Sequence, residues 1–328
     1  MTASLGRLPG TGTPSPVPYG MPDSPVDPHE AAATVLHESA AAAVAALSPH
    51  SRSTLATVLT HASVRHFEPE PLPDDVFAAL QAALVRGPTS SALHSYTHVL
   101  VRDAERKRVI AHLAGDQPWI DHAPLVVVGC ADLRRARKVT HARGYRYTAH
   151  DLRMLISATA DLTVGLQNAS LVAQSLGFGT VLLGGVLDGS LEIAELLDLP
   201  QRVVPLVGLS VGRPKGGRWP APRPRLPLPL VVHHETWSLD AASERDLLAA
   251  VDADTRARGD FEGRRIPWAA MGLGGDDPVE HGDYGWLEHT ARKQGRATWG
   301  PQGAKVDVDL PAQGLRVSST GDADEPEG

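Results

Sequence analysis

The chain has 328 residues, of which 42% are hydrophobic, and it carries a formal net charge of −7. These values allow a large apolar core and argue against a nucleic-acid-binding protein, which would normally show a basic excess concentrated in a patch. The single cysteine, Cys130, excludes an internal disulfide and a multi-cysteine metal site, and no apolar run has membrane-spanning length, so we expect a cytoplasmic protein.

Residues 1–50 form an N-terminal extension in our interpretation. Residues 1–26 are rich in proline, glycine, serine and threonine, which predicts a flexible tail. The stretch Asp27-Pro-His-Glu30 is typical of a helix start, because it combines a capping side chain, an early proline and an acid in the first turn. We expect helices over about Pro28–Leu47 and Ser51–Thr60, and a main domain from residue 51 to 300.

The segment His61-Ala-Ser-Val-Arg-His-Phe67 contains an alternating polar pattern. In an extended backbone, side chains two residues apart point to one face, so His61, Ser63 and Arg65 can converge on one ligand. An imidazole, a hydroxyl and a planar guanidinium together suit a phosphate group. A polar edge strand is the alternative interpretation.

The next 65 residues contain two loops with polar side chains. Thr89, Ser90 and Ser91 lie in a small-residue turn that can approach a ligand closely, although such a sequence is more often only a turn. Gln117 lies in the loop Gly115–Trp119. The periodicity of the flanking residues predicts a helix from Asp74 to Gly87, a strand at Thr97–Arg102, a helix at Ala104–Leu113 and a strand at Pro124–Ala131.

A local basic cluster follows between residues 132 and 147. A solvated helix face is the commoner explanation of such a run, and attraction of an anionic nicotinamide cofactor is the functional alternative. Its members are Arg134, Arg135, Arg137, Lys138, Arg143 and Arg146.

Residues His150–Leu176 predict a long helix that is apolar on most sides. At about 27 residues it would measure roughly 40 Å, which suggests a central spine and an obligate dimer interface. The following Gly177-Phe-Gly-Thr-Val-Leu182 is not a dinucleotide fingerprint, because Leu182 replaces the third glycine and the glycines precede the strand. We expect a strand at Thr180–Leu183 and, at Gly184-Gly185, a backbone open to a flat ligand.

The last third of the chain contains further arginines. Arg223-Pro-Arg225 presents two cations on one face of an extended segment. A solvated linker without a binding role is the alternative interpretation. The adjacent His233 and His234 point to opposite faces of a strand and do not form a metal site. The remaining predicted elements are helices at Ser190–Leu197, Ala241–Arg258 and Tyr284–Lys293, a strand at Val203–Gly212, and a disordered acidic tail at residues 301–328.

In their order and spacing these segments resemble the FMN-dependent nitroreductase superfamily, and specifically its branch of NADPH-dependent nitroreductases and flavin reductases. The resemblance covers about Leu55–Thr298. It implies an α+β fold with a mixed sheet flanked by helices, a long central helix, a homodimer, and a helical C-terminal excursion from about residue 240. Two positions depart from the family pattern: Ala62 stands where an arginine is usual, and Arg223 replaces a lysine.

The resemblance further implies a bound FMN and NADPH as electron donor. By this resemblance, the FMN phosphate is bound by His61, Ser63, Arg223 and Arg225, and Arg65 lies near N1 and the C2 carbonyl of the flavin. The flavin ring is contacted by Gln117, Leu182, Leu183, Gly184 and Gly185, and from the partner subunit by Thr89, Ser90 and Ser91. The 2′-phosphate of NADPH is contacted by Arg258, Arg264 and, with a less defined register, Arg265.

The activity that the resemblance implies is ping-pong hydride transfer from NADPH to a small electrophilic acceptor, either a nitroaromatic, a quinone or free flavin. The cofactor performs this chemistry, so no catalytic side chain is required. Two alternatives remain. One is a flavin reductase that supplies reduced FMN to a monooxygenase, and the other is a non-catalytic flavin-binding protein.

Overall fold

The computed structural model describes residues 48–223, 225–295 and 305–316. The predicted tail at 1–26 and the predicted helix Pro28–Leu47 lie outside these residues. The α-helices are α1 (Pro49–Leu59), α2 (Asp74–Leu84), α3 (Ala104–Leu113), α4 (Pro118–His122), α5 (Arg134–Ala142), α6 (Asp151–Ser175), α7 (Ser190–Leu196), α8 (Leu228–Val231), α9 (Ala241–Ala257), α10 (Trp286–Gly295) and α11 (Val306–Ala312). The strands are β1 (Tyr96–Val101), β2 (Leu125–Asp132), β3 (Gly179–Leu183) and β4 (Val203–Gly212).

The four strands form one sheet in the order β1-β2-β4-β3. The α+β class is confirmed, but each neighbouring pair of described strands is antiparallel, whereas a mixed sheet was expected. The reason is that β4 lies between β2 and β3, so these two strands run in the same direction without pairing. The chain passes from β2 to β3 through α6, a crossover that a two-residue turn cannot make.

Helices cover both faces of the sheet. Every residue of β2 is buried, and its alternate side chains enter two separate apolar clusters. Val127 packs with α2 and α6, whereas Val128 packs on the opposite face with α3 and α4. Burial also raises the pKa of the Cys130 thiol to about 12, so this thiol stays protonated and unreactive.

Helix α6 is the predicted central helix. One face is buried on the sheet and on α2, where a Cβ at Gly165 would come within 2.5 Å of the Leu84 carbonyl oxygen. The opposite face leaves Ile156 65% exposed and Leu152 39% exposed. The helix is therefore buried on one side only within a single protomer.

Residues 305–316 correct the prediction of a disordered tail from residue 301. They contain α11, and both Leu310 and Leu315 are buried in the cluster that also holds α2 and α6. The backbone N–H of Arg316 donates to Asp151 Oδ2 over 2.9 Å. The prediction of disorder relied on the acidic composition of the tail and did not consider the burial of these two leucines.

The basic cluster of residues 132–147 lies on α5 and the loop that follows. Arg135 forms an ion pair with Asp132 over 2.8 Å, and Arg137 is buried against the ring of Tyr147. Lys138, Arg143 and Arg146 are exposed, as in a solvated face. No described helix combines the length and the hydropathy needed to span a lipid bilayer.

Candidate functional site

The segment His61–Phe67 runs beside the edge strand β3 and continues past the end of β4. The N–H of Val64 donates to the Thr180 carbonyl over 2.9 Å, and the N–H of Lys215 donates to the His66 carbonyl over 3.0 Å. Ala62 and Val64 are buried, while His61, Ser63 and Arg65 are half-buried. The alternation predicted for this segment therefore places the three polar side chains on one side of the backbone.

The ring of His61 is held by a residue that sequence reasoning missed. Its Nδ1 lies 3.0 Å from Oε1 of Gln174, a buried side chain near the carboxyl end of α6. A glutamine within an apolar helix gives little signal of its own. Its position opposite His61 depends on how α6 packs against β3.

Four arginines gather at this end of the sheet. The pKa of Arg65 is lowered first by burial and then by the positive charge of Arg264. The pKa of Arg223 is lowered first by burial and then by Arg264, Arg65 and Arg225, while Asp260 raises it. Arg223 therefore lies within electrostatic range of the other three guanidinium groups, and Arg65 lies within range of Arg264. A cluster of like charges of this kind favours an anionic ligand.

The loop after α3 completes the site. The guanidinium of Arg65 lies over the ring of Trp119, 5.5 Å from its centroid, and the buried Nε1 of Trp119 has no hydrogen-bond partner among the described residues. A Cβ at Gly185 would come within 2.5 Å of Gln117 Nε2, so the predicted glutamine and the predicted glycine pair are neighbours. Trp119 was missed, although it stands only two residues after Gln117.

The residues of β3 contribute unequally. Leu182 is 42% exposed, whereas Leu183 is 1% exposed and its side chain belongs to the core. No described protein atom lies within 4 Å of a Cβ built on Gly184, so open space adjoins this backbone. A ligand at this strand end can reach Leu182 and the glycine backbone but not the side chain of Leu183.

The turn containing Thr89, Ser90 and Ser91 lies elsewhere on the protomer. The N–H of Ser90 donates to Asp161 Oδ1 over 2.9 Å. Asp161 and Gln174 are both on α6, roughly 20 Å apart at about 1.5 Å per residue. One chain therefore does not bring this exposed turn to His61, and its role at a partner's site stays a prediction.

The three arginines predicted to contact NADPH have different surroundings. Arg264 belongs to the arginine cluster. Arg258 forms ion pairs with Asp254 and Asp260, which raise its pKa. Arg265 pairs with Asp277 over 2.8 Å and donates to the carbonyls of residues 279 and 280. Only Arg264 of the three is directed at the cluster.

A buried ion-pair network fixes the loop that carries Arg264. Arg292 on α10 is fully buried and donates to both carboxylate oxygens of Asp277 over 2.7 and 2.6 Å. It also donates to the Ile266 carbonyl over 2.9 Å. Arg292 holds the pKa of the Asp277 carboxyl well below its usual range. Sequence reasoning missed this network because arginine is normally a surface residue.

The His233–Glu235 stretch lies outside the described helices and strands, so the strand expected there is wrong. The ring of His233 stacks on that of Trp237 with centroids 4.2 Å apart. Within the described residues, no group of three or more histidine, cysteine or acidic side chains is arranged to hold a metal ion.

Comparisons with known proteins show which family the chain is similar to. The model of the Nitroreductase family matches residues 58–213. The FMN reductase (NAD(P)H) of Bacillus subtilis (strain 168) is 37% identical over 185 residues, which cover 54% of this chain and 71% of that protein. The FMN reductase (NADPH) of the same strain is 30% identical over 202 residues, covering 61% and 80%. The solved structure of the hypothetical oxidoreductase YcnD from Bacillus subtilis is similar with a TM-score of 0.70 and 28% identity, over 81% of this chain and 99% of that one.

Proposed function

Because the chain belongs to the nitroreductase family, we propose that it is an FMN-dependent NADPH oxidoreductase that reduces small electrophilic acceptors. The observation that carries the proposal is the cluster of Arg65, Arg223, Arg225 and Arg264. The other three guanidinium groups repel that of Arg223, and a bound phosphate would relieve this repulsion. FMN and NADPH both carry phosphate groups.

The residues at the site suit the two ends of FMN. Arg223 and Arg225, with His61 and Ser63, would hold its phosphate through charge-assisted hydrogen bonds. Arg65, oriented by Trp119, together with Gln117 and the backbone of Gly184 and Gly185, would contact the ring. When bound, FMN supplies the hydride chemistry, while the protein supplies orientation and positive charge.

The open space beside the backbone of Gly184 leads us to propose ping-pong kinetics. NADPH would bind, be oxidised and leave as NADP⁺, and an acceptor would then bind at the same place, with FMN supplying the redox chemistry that links the two steps. Arg264 attracts the anionic donor to this site, and no side chain is required as a nucleophile or general base. Nitroaromatics, quinones and free flavin are the proposed acceptors.

The proposed functional unit is a homodimer. The turn with Thr89, Ser90 and Ser91 is exposed and is anchored to α6 well away from the arginine cluster of its own chain. The exposed apolar face of α6 offers the contact area for a second copy. In this arrangement the turn of one protomer completes the FMN site of the other.

The first test is the visible absorption spectrum of the purified protein, reconstituted with FMN, before and after NADPH is added without oxygen. We expect flavin bands that bleach, because the site binds FMN and admits the donor. Bound flavin that NADPH does not bleach would contradict the proposed NADPH oxidoreductase activity and would support a non-catalytic flavin-binding protein.

The Arg225→Ala variant extends this test to the phosphate site. It should lose most of its flavin on gel filtration, since a charge-assisted phosphate contact contributes on the order of 2 kcal/mol. Arg143→Ala, which removes an exposed arginine of the basic cluster after α5, is the matched control and should keep its flavin. Full flavin in Arg225→Ala would remove Arg225 from the phosphate site.

A further inference from the structure

The end of α9 places an acid beside an arginine by its backbone geometry. The N–H of Gly259 donates to the Arg256 carbonyl over 2.9 Å, and the N–H of Asp260 donates to the Thr255 carbonyl over 3.1 Å. Gly259 has a φ of +64°, so this is a Schellman end with glycine in the left-handed conformation. The turn folds the chain back and brings Asp260 next to Arg258.

All three guanidinium nitrogens of Arg258 are engaged by carboxylates. Nε and Nη2 each lie 2.9 Å from Oδ2 of Asp260, and Nη1 pairs with Asp254. The contacts occupy three of the five guanidinium N–H groups, including the Nε–Nη2 edge that Asp260 holds. A phosphate that binds bidentately at this edge must displace the Asp260 carboxylate.

The two carboxylates differ in their relation to the arginine cluster. Asp254 lies on α9, one turn before Arg258. Asp260 lies beyond the helix end, and its negative charge also acts on Arg223. Asp260 thus faces the region where an anionic nucleotide would approach, and it repels a second anion there.

We propose that Asp260 is a specificity-determining residue that weakens the preference for NADPH over NADH, because its carboxylate occupies the donors of Arg258 in place of the 2′-phosphate. This inference rests on the proposed function and deepens it. NADH lacks the 2′-phosphate, so its binding does not require the Arg258–Asp260 pair to open. Opening this pair costs free energy, which reduces the advantage of NADPH over NADH in binding.

The test compares Asp260→Asn with the unmodified protein, both loaded with FMN. The probes are adenosine 2′,5′-bisphosphate, which carries the 2′-phosphate, and adenosine 5′-monophosphate, which does not. By calorimetry we expect Asp260→Asn to bind the bisphosphate roughly fivefold more tightly, because freeing the Nε and Nη2 donors of Arg258 for the 2′-phosphate is worth about 1 kcal/mol. Binding of the monophosphate should not change, and KM should fall for NADPH and not for NADH.

Two further variants make the result specific. Asp246→Asn removes the same charge from an exposed position on α9 and should leave bisphosphate binding unchanged. In an Arg258→Ala background the gain from Asp260→Asn should disappear, since the released donors are then missing. A gain that persists in that background would show that Asp260 does not act through Arg258 and would overturn the proposal.

Weaker or unchanged bisphosphate binding in Asp260→Asn would also overturn it, because Asp260 would then orient Arg258 or have no role. Failure of the proposed function would look different. In that case NADPH would not bleach the flavin of the unmodified protein, while the calorimetric comparison of the variants would still report whether Asp260 and the 2′-phosphate compete.

Discussion

Burial lowers the pKa of two single side chains in this protein, with different effects on their charge at pH 7. Arg65 is half-buried next to other cations, yet it keeps its charge because an arginine is not deprotonated in a protein. His98 on β1 responds differently, since burial lowers its pKa to about 4 and leaves its ring neutral at pH 7. Arg65 therefore keeps a positive charge that can attract an anionic ligand, whereas His98 is neutral at pH 7 because it is buried.

His98 makes the stability depend on pH. Its folded pKa of about 4 lies below the unfolded value of 6.5, so the unfolded chain binds more protons as the pH falls between these values. The free energy of unfolding should therefore decrease from pH 6.5 towards pH 4, by up to about 3 kcal/mol from this residue. Urea unfolding of the protein and of His98→Gln at several pH values measures the effect.

We expect a shallower pH dependence for His98→Gln, whatever its stability at pH 7, because the amide does not titrate. The acidic groups are common to both proteins and cancel in the comparison. Equal slopes for the two proteins would mean that His98 is protonated as easily in the folded chain as in the unfolded one.

At the scale of whole elements, the C-terminal excursion depends on polar contacts. Arg292 lies between the rings of Trp268 and Tyr284, with centroids 5.2 and 5.1 Å away, and it joins α10 to Asp277 and to the Ile266 carbonyl. The Tyr284 hydroxyl oxygen accepts from the Ile266 N–H over 3.0 Å. Residue 266 is thus held from both sides, two positions after Arg264.

Arg292→Met should loosen the excursion while the sheet stays folded. The variant leaves Asp277 and Glu288 without their main partner, so the segment around residues 258–295 should open more often. Hydrogen exchange should become roughly tenfold faster in this segment and stay unchanged in β2 and β4. Arg245→Met, an exposed arginine on α9, is the control, and faster exchange spread over the whole sheet would contradict a local role.

The elements themselves could be predicted well from the sequence, because their apolar periodicity reports directly on burial. Helix α3 and β4 begin and end at the predicted residues, and α6 differs by one residue at each end. The pairing of strands could not be predicted, since β2 and β4 are separated by the long α6 and by β3. For the same reason no local signal revealed that Gln174 faces His61 or that Arg292 is buried.

The site shows the same limit. Short-range patterns predicted that His61, Ser63 and Arg65 share one face and that the backbone is open at the glycine pair, because alternation and glycine content are local properties. The pairing of Arg258 with Asp260 depends on the turn at Gly259, and the stacking of Arg65 on Trp119 depends on two segments that are distant in sequence. The first contact is local and the second arises from tertiary packing, and the periodicity of the sequence reveals neither.

For the whole molecule, α6 and the elements beside it leave several large apolar side chains exposed among the described residues. Ile156 and Leu152 on α6 are exposed, as are Val58 on α1 and Leu93 after the Ser90–Ala92 turn, and both of these elements pack on α6. Large apolar side chains exposed along one helix and its neighbours are typical of an interaction surface. A second copy of this chain, related by a twofold axis, would cover the surface on both molecules.

Ile156→Arg tests the proposed dimer together with its role in cofactor binding. A charge buried in an apolar interface costs several kcal/mol, so we expect light scattering to give the mass of a monomer. The same variant should lose FMN, because the turn with Ser90 and Ser91 would no longer reach the partner's site. Val308→Arg is the matched control, since Val308 on α11 is 66% exposed against 65% for Ile156 and lies on another helix. A monomeric Ile156→Arg that retains its flavin would separate the two claims, leaving the interface in place and assigning the whole FMN site to one chain.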